Sequence, residues 1–483
     1  MLKLAFILLL IFPAVLNAGD RYIVRFANDL SEVTVEACFD GAPPRNLYRH
    51  SESAPFTKWI RSNGKPVKNR SHYGRLRLPD LPDDSCVQWR VNLSAAVAQN
   101  NSRLALRLND TILTSGSLWF WRDNERRDIH VEVELPPGFS ISTPWQERQK
   151  GGKVTFWPDR TPASWSSRIA VGHFPVHRVA VTGTKLRLSV IGELLPDQRE
   201  AITEWVRETA ECVASIIGRF PQRQPQILII AIGKQSEAVP WAHVMRGGGV
   251  AAEFFIDETR PISEFRSDWT ATHELSHMLL PSVSSRDRWL SEGLASYYQN
   301  VLRARDGHLT EAQAWQKLHS GFERGKRATR GDSLAKATRS GRGATMRVYW
   351  SGAAIMLKAD TRLRELSDGR QSIDTALSSL QDCCFEQGRN WRAQELFQEL
   401  DRLTGYTVFM DLFHEHVLDD EFPDMSWTYA QLGIVPRSTS VRLNPDAPLN
   451  QIRYQIMHGD HQGTQPHPSP GSTPRPPPEA ILP

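Results

Sequence analysis

Cysteine is scarce in this chain, with five among 483 residues, at positions 38, 86, 212, 383 and 384. None shows the CxxC spacing of a structural zinc knuckle, so any metal site must be built from histidine and carboxylate. Long apolar runs are also few. Beyond residue 18 no stretch approaches the roughly 20 apolar residues that a membrane helix needs. Basic tracts interleaved with aromatics are missing, and the formal net charge is only +4. A nucleic-acid partner is therefore not implied.

The first 18 residues carry Lys3, an apolar core from Leu4 to Leu16, and Ala18 ahead of the polar Gly19-Asp20. That is the pattern of a signal peptide; as a membrane anchor it is short and contains Pro13. The chain is expected to be exported, periplasmic or secreted, with no stable membrane insertion after cleavage. An oxidising compartment favours pairing of an even subset of cysteines. Cys38 and Cys86 both fall in a β-rich region and are expected to bond to each other. For Cys212, Cys383 and Cys384 two arrangements stay open: Cys212 with one of the adjacent pair, or both of that pair reduced and buried.

Chemistry is concentrated at His273-Glu274-Leu275-Ser276-His277, followed after fourteen intervening residues by Glu292. On an α-helix, residues four apart share one face, so His273 and His277 can present two imidazole nitrogens to one metal ion while Glu274 sits beside it. Two histidines and one carboxylate leave a coordination position for water, whose pKa zinc lowers to about 7. The approach from Trp269 to Thr272 contains no helix breaker, Leu275, Met278 and Leu279 give an apolar face, and Pro281 ends the helix. A second helical pattern with Trp289, Leu290, Leu294, Tyr297, Tyr298 and Val301 places Glu292 on the next helix.

Length alone implies two to three domains. Before residue 193 the pattern is period-2, as in Leu104/Leu106/Leu108, Ile129/Val131/Val133/Leu135 and Leu186/Leu188/Val190. Residues 19–192 therefore read as an antiparallel β-sandwich-like domain. Its Trp119-Phe120-Trp121 cluster reads as core or domain interface, with a sugar-stacking or partner surface as the alternative. From Gln198 the period becomes helical, with Ile202, Trp205, Val206, Thr209, Val213, Ile216 and Ile217 on one face. Ile227–Ile230 then reads as a strand, and Ala251 to Ile256, after Gly247-Gly248-Gly249, as the edge strand beside the active helix. Residues 193–307 are assigned to the catalytic domain and 308–437 to a mostly helical part that completes the site. Residues 438–483 are assigned to a Pro-rich, largely disordered tail whose His458, His461 and His467 read as solvated.

The HExxH helix with Glu292 on the following helix resembles the gluzincin metallopeptidases. The segment from Trp289 to Gly307, with Ser291-Glu292-Gly293, Tyr297-Tyr298 and Leu302-Arg303-Ala304-Arg305, looks most like the glycyl aminopeptidase family and more loosely like the aminopeptidase N family. The latter has eighteen residues between the second His and the ligand Glu, so the loop here is trimmed. Val348-Tyr349-Trp350-Ser351-Gly352-Ala353-Ala354 looks like the Tyr-x-Lys-Gly-Ala segment, with Ser351 in place of Lys. The resemblance covers most of residues 194–437 and implies a thermolysin-like α/β catalytic domain. It also implies that His273, His277 and Glu292 hold one Zn2+ per chain, Glu274 acts as general base and Tyr349 as oxyanion donor. Many glycyl aminopeptidase relatives append a PDZ domain where this chain has its Pro-rich end.

The fold expected is thus α+β and multidomain, and the activity that of a zinc-dependent hydrolase of peptide bonds in peptide or protein substrates. Two other readings fit the same sequence: a zinc hydrolase of a non-peptide bond, and an inactive binding protein that uses its β-domain. Aminopeptidase N relatives grip the substrate's free amine with the Glu of a Gly-Ala-Met-Glu-Asn segment. Gly247-Gly248-Gly249-Val250 stands in the corresponding place and offers no anion; the nearest carboxylate is Glu253. A free amino terminus is therefore not expected to be required.

Overall fold

Between Asp20 and Gly172 the period-2 runs build sheets stacked around one core. The structure, a computed structural model, describes residues 19–459 apart from 68–70, 73, 102, 124–127, 151–152, 164 and 386–387. The expected signal peptide, His461 and His467 lie outside the described residues. An eight-stranded sheet runs in the order Gln146–Lys150, Lys153–Trp157, Ile129–Glu134, Asp20–Phe26, Glu32–Cys38, Cys86–Asn92, Thr57–Ser62, Lys65–Pro66. It is antiparallel except where Asp20–Phe26 meets Ile129–Glu134 in parallel. Alternation decides which face is inside: Val33, Val35, Ala37, Val87, Trp89 and Val91 are all buried. Cys38 and Cys86 are register partners on neighbouring strands and are joined as a disulfide. Trp119, Phe120 and Trp121 belong to this core, with Trp89 Nε1 donating to the Trp119 carbonyl at 2.7 Å. That excludes the sugar-stacking surface.

The change of sheet comes earlier than residue 193. Thr184–Ile191 pairs antiparallel with His177–Val181 and parallel with Gln226–Ala231, so both strands belong to a second, five-stranded sheet. Its order is His177–Val181, Thr184–Ile191, Gln226–Ala231, Ala251–Ile256, Trp241–Met245. Hence Ala251–Ile256 is an inner strand, buried at every position, and the edge is Trp241–Met245. A strand covered on both faces reads as a near-continuous apolar run, and this one does apart from Glu253.

One face of this sheet is covered by the helix Pro196–Ala214, whose buried side includes Ile202, Trp205, Val206, Thr209 and Val213. The same face packs against Thr270–Ser276, which continues through the 3-10 turn His277–Leu279. The other face meets the amino-terminal domain, where Phe255 packs with Leu113, Ala170 and Phe174. Gly247, Gly248 and Gly249 lie at this junction: a Cβ would fall 2.3 Å from the Ser166 carbonyl, 2.9 Å from Trp145 Nε1 and 1.9 Å from the Pro144 carbonyl, respectively. The glycines therefore serve close packing between domains.

Beyond the sheet the chain is helical, as expected for residues 308–437. Arg288–Arg305 and Thr345–Leu366 cross at a glycine pair: a Cβ on Gly352 would lie 2.1 Å from the Trp289 carbonyl and 2.7 Å from Gly293 Cα. No larger residue permits that approach. Behind the crossing, Tyr297 donates to Asp360 at 2.7 Å and Tyr298 to Asp374 at 2.5 Å, with Arg305 on Asp374 at 2.7 Å. The fold also extends past residue 437. Val441–Leu443 pairs with Ile434–Pro436, and the helix Asn450–His458 buries Arg453, Ile456 and Met457. The tail assigned from 438 thus contains ordered structure, His458 included.

Cys383 and Cys384 are bonded to each other, and the Cys212 thiol stays free, donating to the Leu302 carbonyl at 3.3 Å. Burial pushes that thiol up, so it is inert.

Candidate metal centre

Three elements converge on one cleft of about 610 Å³: the helix Thr270–Ser276 with its 3-10 extension, the start of Arg288–Arg305, and the start of Thr345–Leu366. The edge strand Trp241–Met245 forms its opposite wall. All five site residues expected from sequence meet here. His273, Glu274 and His277 each bring one ligand atom within 4.8 Å of the others. Glu292 Oε2 lies 3.4 Å from His273 Nε2 and 3.5 Å from His277 Nε2.

These separations fit a metal. Tetrahedral zinc with bonds of about 2.0–2.2 Å sets neighbouring ligand atoms roughly 3.3–3.5 Å apart. Glu292 Oε2 is buried yet has no hydrogen-bond partner among the described residues, which is costly unless a cation satisfies it. Burial would raise the Glu292 carboxyl, but its contacts with His273 and His277 outweigh that and hold it well below the usual carboxylate range. It is an anion, as a ligand must be.

The far ring nitrogens are also fixed. His273 Nδ1 lies 2.8 Å from Gln299 Oε1, and His277 Nδ1 lies 2.9 Å from Ser291 Oγ. An amide oxygen only accepts, so His273 carries its proton on Nδ1 and presents the Nε2 lone pair to the cleft. Sequence reasoning did not single out Gln299. Its signal was its place seven residues after Glu292, two turns along the same helix face.

Arg246, just past the edge strand, was also missed. Its Nη2 donates to the carbonyls of His277 at 2.6 Å and Leu280 at 3.0 Å. The His277 carbonyl also accepts from the Leu280 amide at 3.4 Å, and both carbonyls lie at the end of the helix, so the guanidinium fixes the end of the helix that carries His277. Burial pulls Arg246 down to about 10, which leaves it charged at neutral pH.

Tyr349 stacks on His273 with ring centroids 5.8 Å apart and planes 8° from parallel. Burial pushes its phenol well up, and the charge of Glu292, a hydrogen bond with it, and the charge of Glu274 push further. The hydroxyl is therefore a proton donor. Glu253 takes no part in the cleft: it is fully buried and pairs with Arg168 at 3.0 Å and with His243 at 3.1 Å. A second acidic and sulfur cluster, Cys383, Cys384 and Glu399, has both sulfurs committed to the disulfide.

No family model matches the sequence, and no curated protein is matched by it. Solved structures do match. An aminopeptidase N family protein from Idiomarina loihiensis is similar at a TM-score of 0.67 and 14% identity over 86% of this chain and 78% of that one. An M1 zinc metallopeptidase from Deinococcus radiodurans is similar at 0.52 and 14%, over 84% of this chain and 95% of that one. Yeast LTA4 hydrolase in complex with Bestatin is similar at 0.52 and 13%, over 89% and 69%. At these identities the likeness is one of fold, and the chain shares the α+β multidomain fold of these proteins, with its amino-terminal sheet domain and helical carboxy-terminal part.

Proposed function

We propose that this chain is an exported zinc metallopeptidase of gluzincin type, with a thermolysin-like catalytic domain and one zinc held by His273, His277 and Glu292. The observation that carries the reading is the orphaned Glu292 Oε2, 3.4 and 3.5 Å from two imidazole nitrogens. When bound, zinc supplies a Lewis acid for a carbonyl oxygen and lowers the pKa of a water. Gln299 and Ser291 keep the imidazoles in register. Glu274, next to His273 and lining the cleft, takes a proton from the attacking water and passes it to the leaving amine. Tyr349 donates to the oxygen on which charge develops.

The edge strand Trp241–Met245 contains no carboxylate, and Glu253 is held by Arg168. Nothing on that wall pairs with a substrate ammonium, so peptides with a blocked amino terminus are accepted. A mixed peptide library, each member with its amine free and acetylated, tests both points. Cleavage of acetylated members that stops with chelator is expected. Loss of all cleavage on acetylation, with products released one residue at a time, overturns the second point. Failure to cleave any peptide overturns the first.

A further inference from the structure

Among the described residues lining the cleft there are two carboxylates, Glu274 and Glu292, and both are assigned to the chemistry. Its cations are differently placed. Arg246 spends its Nη2 on the carbonyls of His277 and Leu280, and His243 is held by Glu253. Arg288 is the exception. It is half-buried in the cleft wall with Glu292 and Tyr349, and its one hydrogen bond among the described residues runs from Nη2 to the Gly341 carbonyl at 3.2 Å. Its Nε is buried with no partner among the described residues, and no carboxylate among them pairs with it.

The position is also unfavourable for a cation on fold grounds. Arg288 is the first residue of an 18-residue helix whose first turn has no acidic side chain, so it adds positive charge to the positive end of the helix dipole. The neighbouring Asp287 does not offset it: its Oδ2 accepts from Arg392 Nε and from the Ala393 amide. A guanidinium has five donors in a fork that matches a carboxylate. Here one is spent on Gly341 and Nε is enclosed, which leaves the remaining Nη donors, on a side chain that lines the cleft with Glu292 and Tyr349.

Resting on the peptidase reading, we propose that Arg288 is a substrate-binding residue that takes a carboxylate of the substrate, so that the preferred substrates are peptides with an anionic group close to the scissile bond. Two sources share that chemistry, the carboxyl terminus of a short peptide and an acidic side chain. Both are compatible with a blocked amino terminus.

The test uses the full zinc-loaded chain. Affinity is read by calorimetry in the Glu274→Gln variant, which binds with turnover lowered by roughly 10²–10⁴-fold, and kcat/KM in the wild type. Peptides are compared in matched pairs: free carboxyl terminus against amide, and glutamate against glutamine at the two positions on each side of the cut. Charge-assisted hydrogen bonds predict that one neutralisation weakens affinity by about 10- to 100-fold. The pair that responds identifies the source. In Arg288→Ala on the same background the penalty disappears, and in Arg288→Lys part of it returns. If no neutralisation weakens binding, or if the loss is the same in Arg288→Ala, the inference is overturned while peptide cleavage leaves the peptidase reading standing. Should Arg288→Ala fail to fold, the Lys variant and the wild-type pairs still decide. Absence of all cleavage with zinc bound removes the peptidase reading, and this inference with it.

Discussion

Gly352→Ala places a methyl group where two helices touch. Its Cβ would lie 2.1 Å from the Trp289 carbonyl and 2.7 Å from Gly293 Cα. A carbon and a carbonyl oxygen need about 3.3 Å, so the helices must part by roughly 1 Å. Both offending atoms are backbone and no rotamer relieves them. Overpacking at its upper end costs about 3 kcal/mol, and replacing a mid-helix glycine with alanine returns about 1 kcal/mol, a net loss of about 2 kcal/mol. At about 2–4 °C per kcal/mol for a domain of 150–250 residues, the melting temperature falls by roughly 4–8 °C. The same parting displaces Tyr349, three residues earlier on the helix, from Glu292 on its partner. A misplacement of about 1 Å can lower turnover by about 100-fold. Thermal melting followed by circular dichroism, with turnover on a blocked peptide, reads both effects. A variant that melts at or above wild type would show open space at Gly352 and propensity alone at work, and would refute the crossing as what holds Tyr349 in place.

Tyr349→Phe removes only a donor and is expected to lower turnover by about 10²–10³-fold at unchanged zinc content; wild-type turnover would return Tyr349 to packing against His273. Gln299→Leu leaves the Nδ1 proton of His273 without an acceptor and is expected to weaken zinc binding by about 10- to 100-fold in a competition titration. Unchanged affinity would mean that Gln299 does not orient the ring.

The meeting of His273, His277 and Glu292 was legible because helical spacing is rigid. Residues 273 and 277 share a face whatever surrounds them, and Glu292 needs only a second helix that folds back. The Gly293 and Gly352 positions were visible as letters, but the crossing they permit is a tertiary contact. The early change of sheet was hidden because Leu186, Leu188 and Val190 alternate with Arg187 and Ser189, which look solvent-facing. In the fold Arg187 and Ser189 are 2% and 0% exposed, since the strand is covered on both sides. Trp241–Met245 escaped notice as the edge because it mixes an exposed Trp, a His and apolar residues, whereas the inner Ala251–Ile256 gives the cleaner strand signal. The roles of the three glycines depend on Pro144, Trp145 and Ser166 from about a hundred residues earlier, which no local pattern reveals. At the carboxyl end, composition averaged over 438–483 masked Ile456 and Met457, which anchor the last helix.

In the proposed mechanism His273, His277 and Glu292 hold a zinc beside which Glu274 moves the proton. Glu274→Gln separates the two halves of that mechanism in one preparation, since the change leaves all three ligands and their partners untouched. Metal analysis and peptide turnover are measured on the same purified sample. About one zinc per chain, with turnover lowered by roughly 10²–10⁴-fold, is the predicted result. A folded protein without zinc, or one that keeps its metal and cleaves peptides at the wild-type rate, would contradict it.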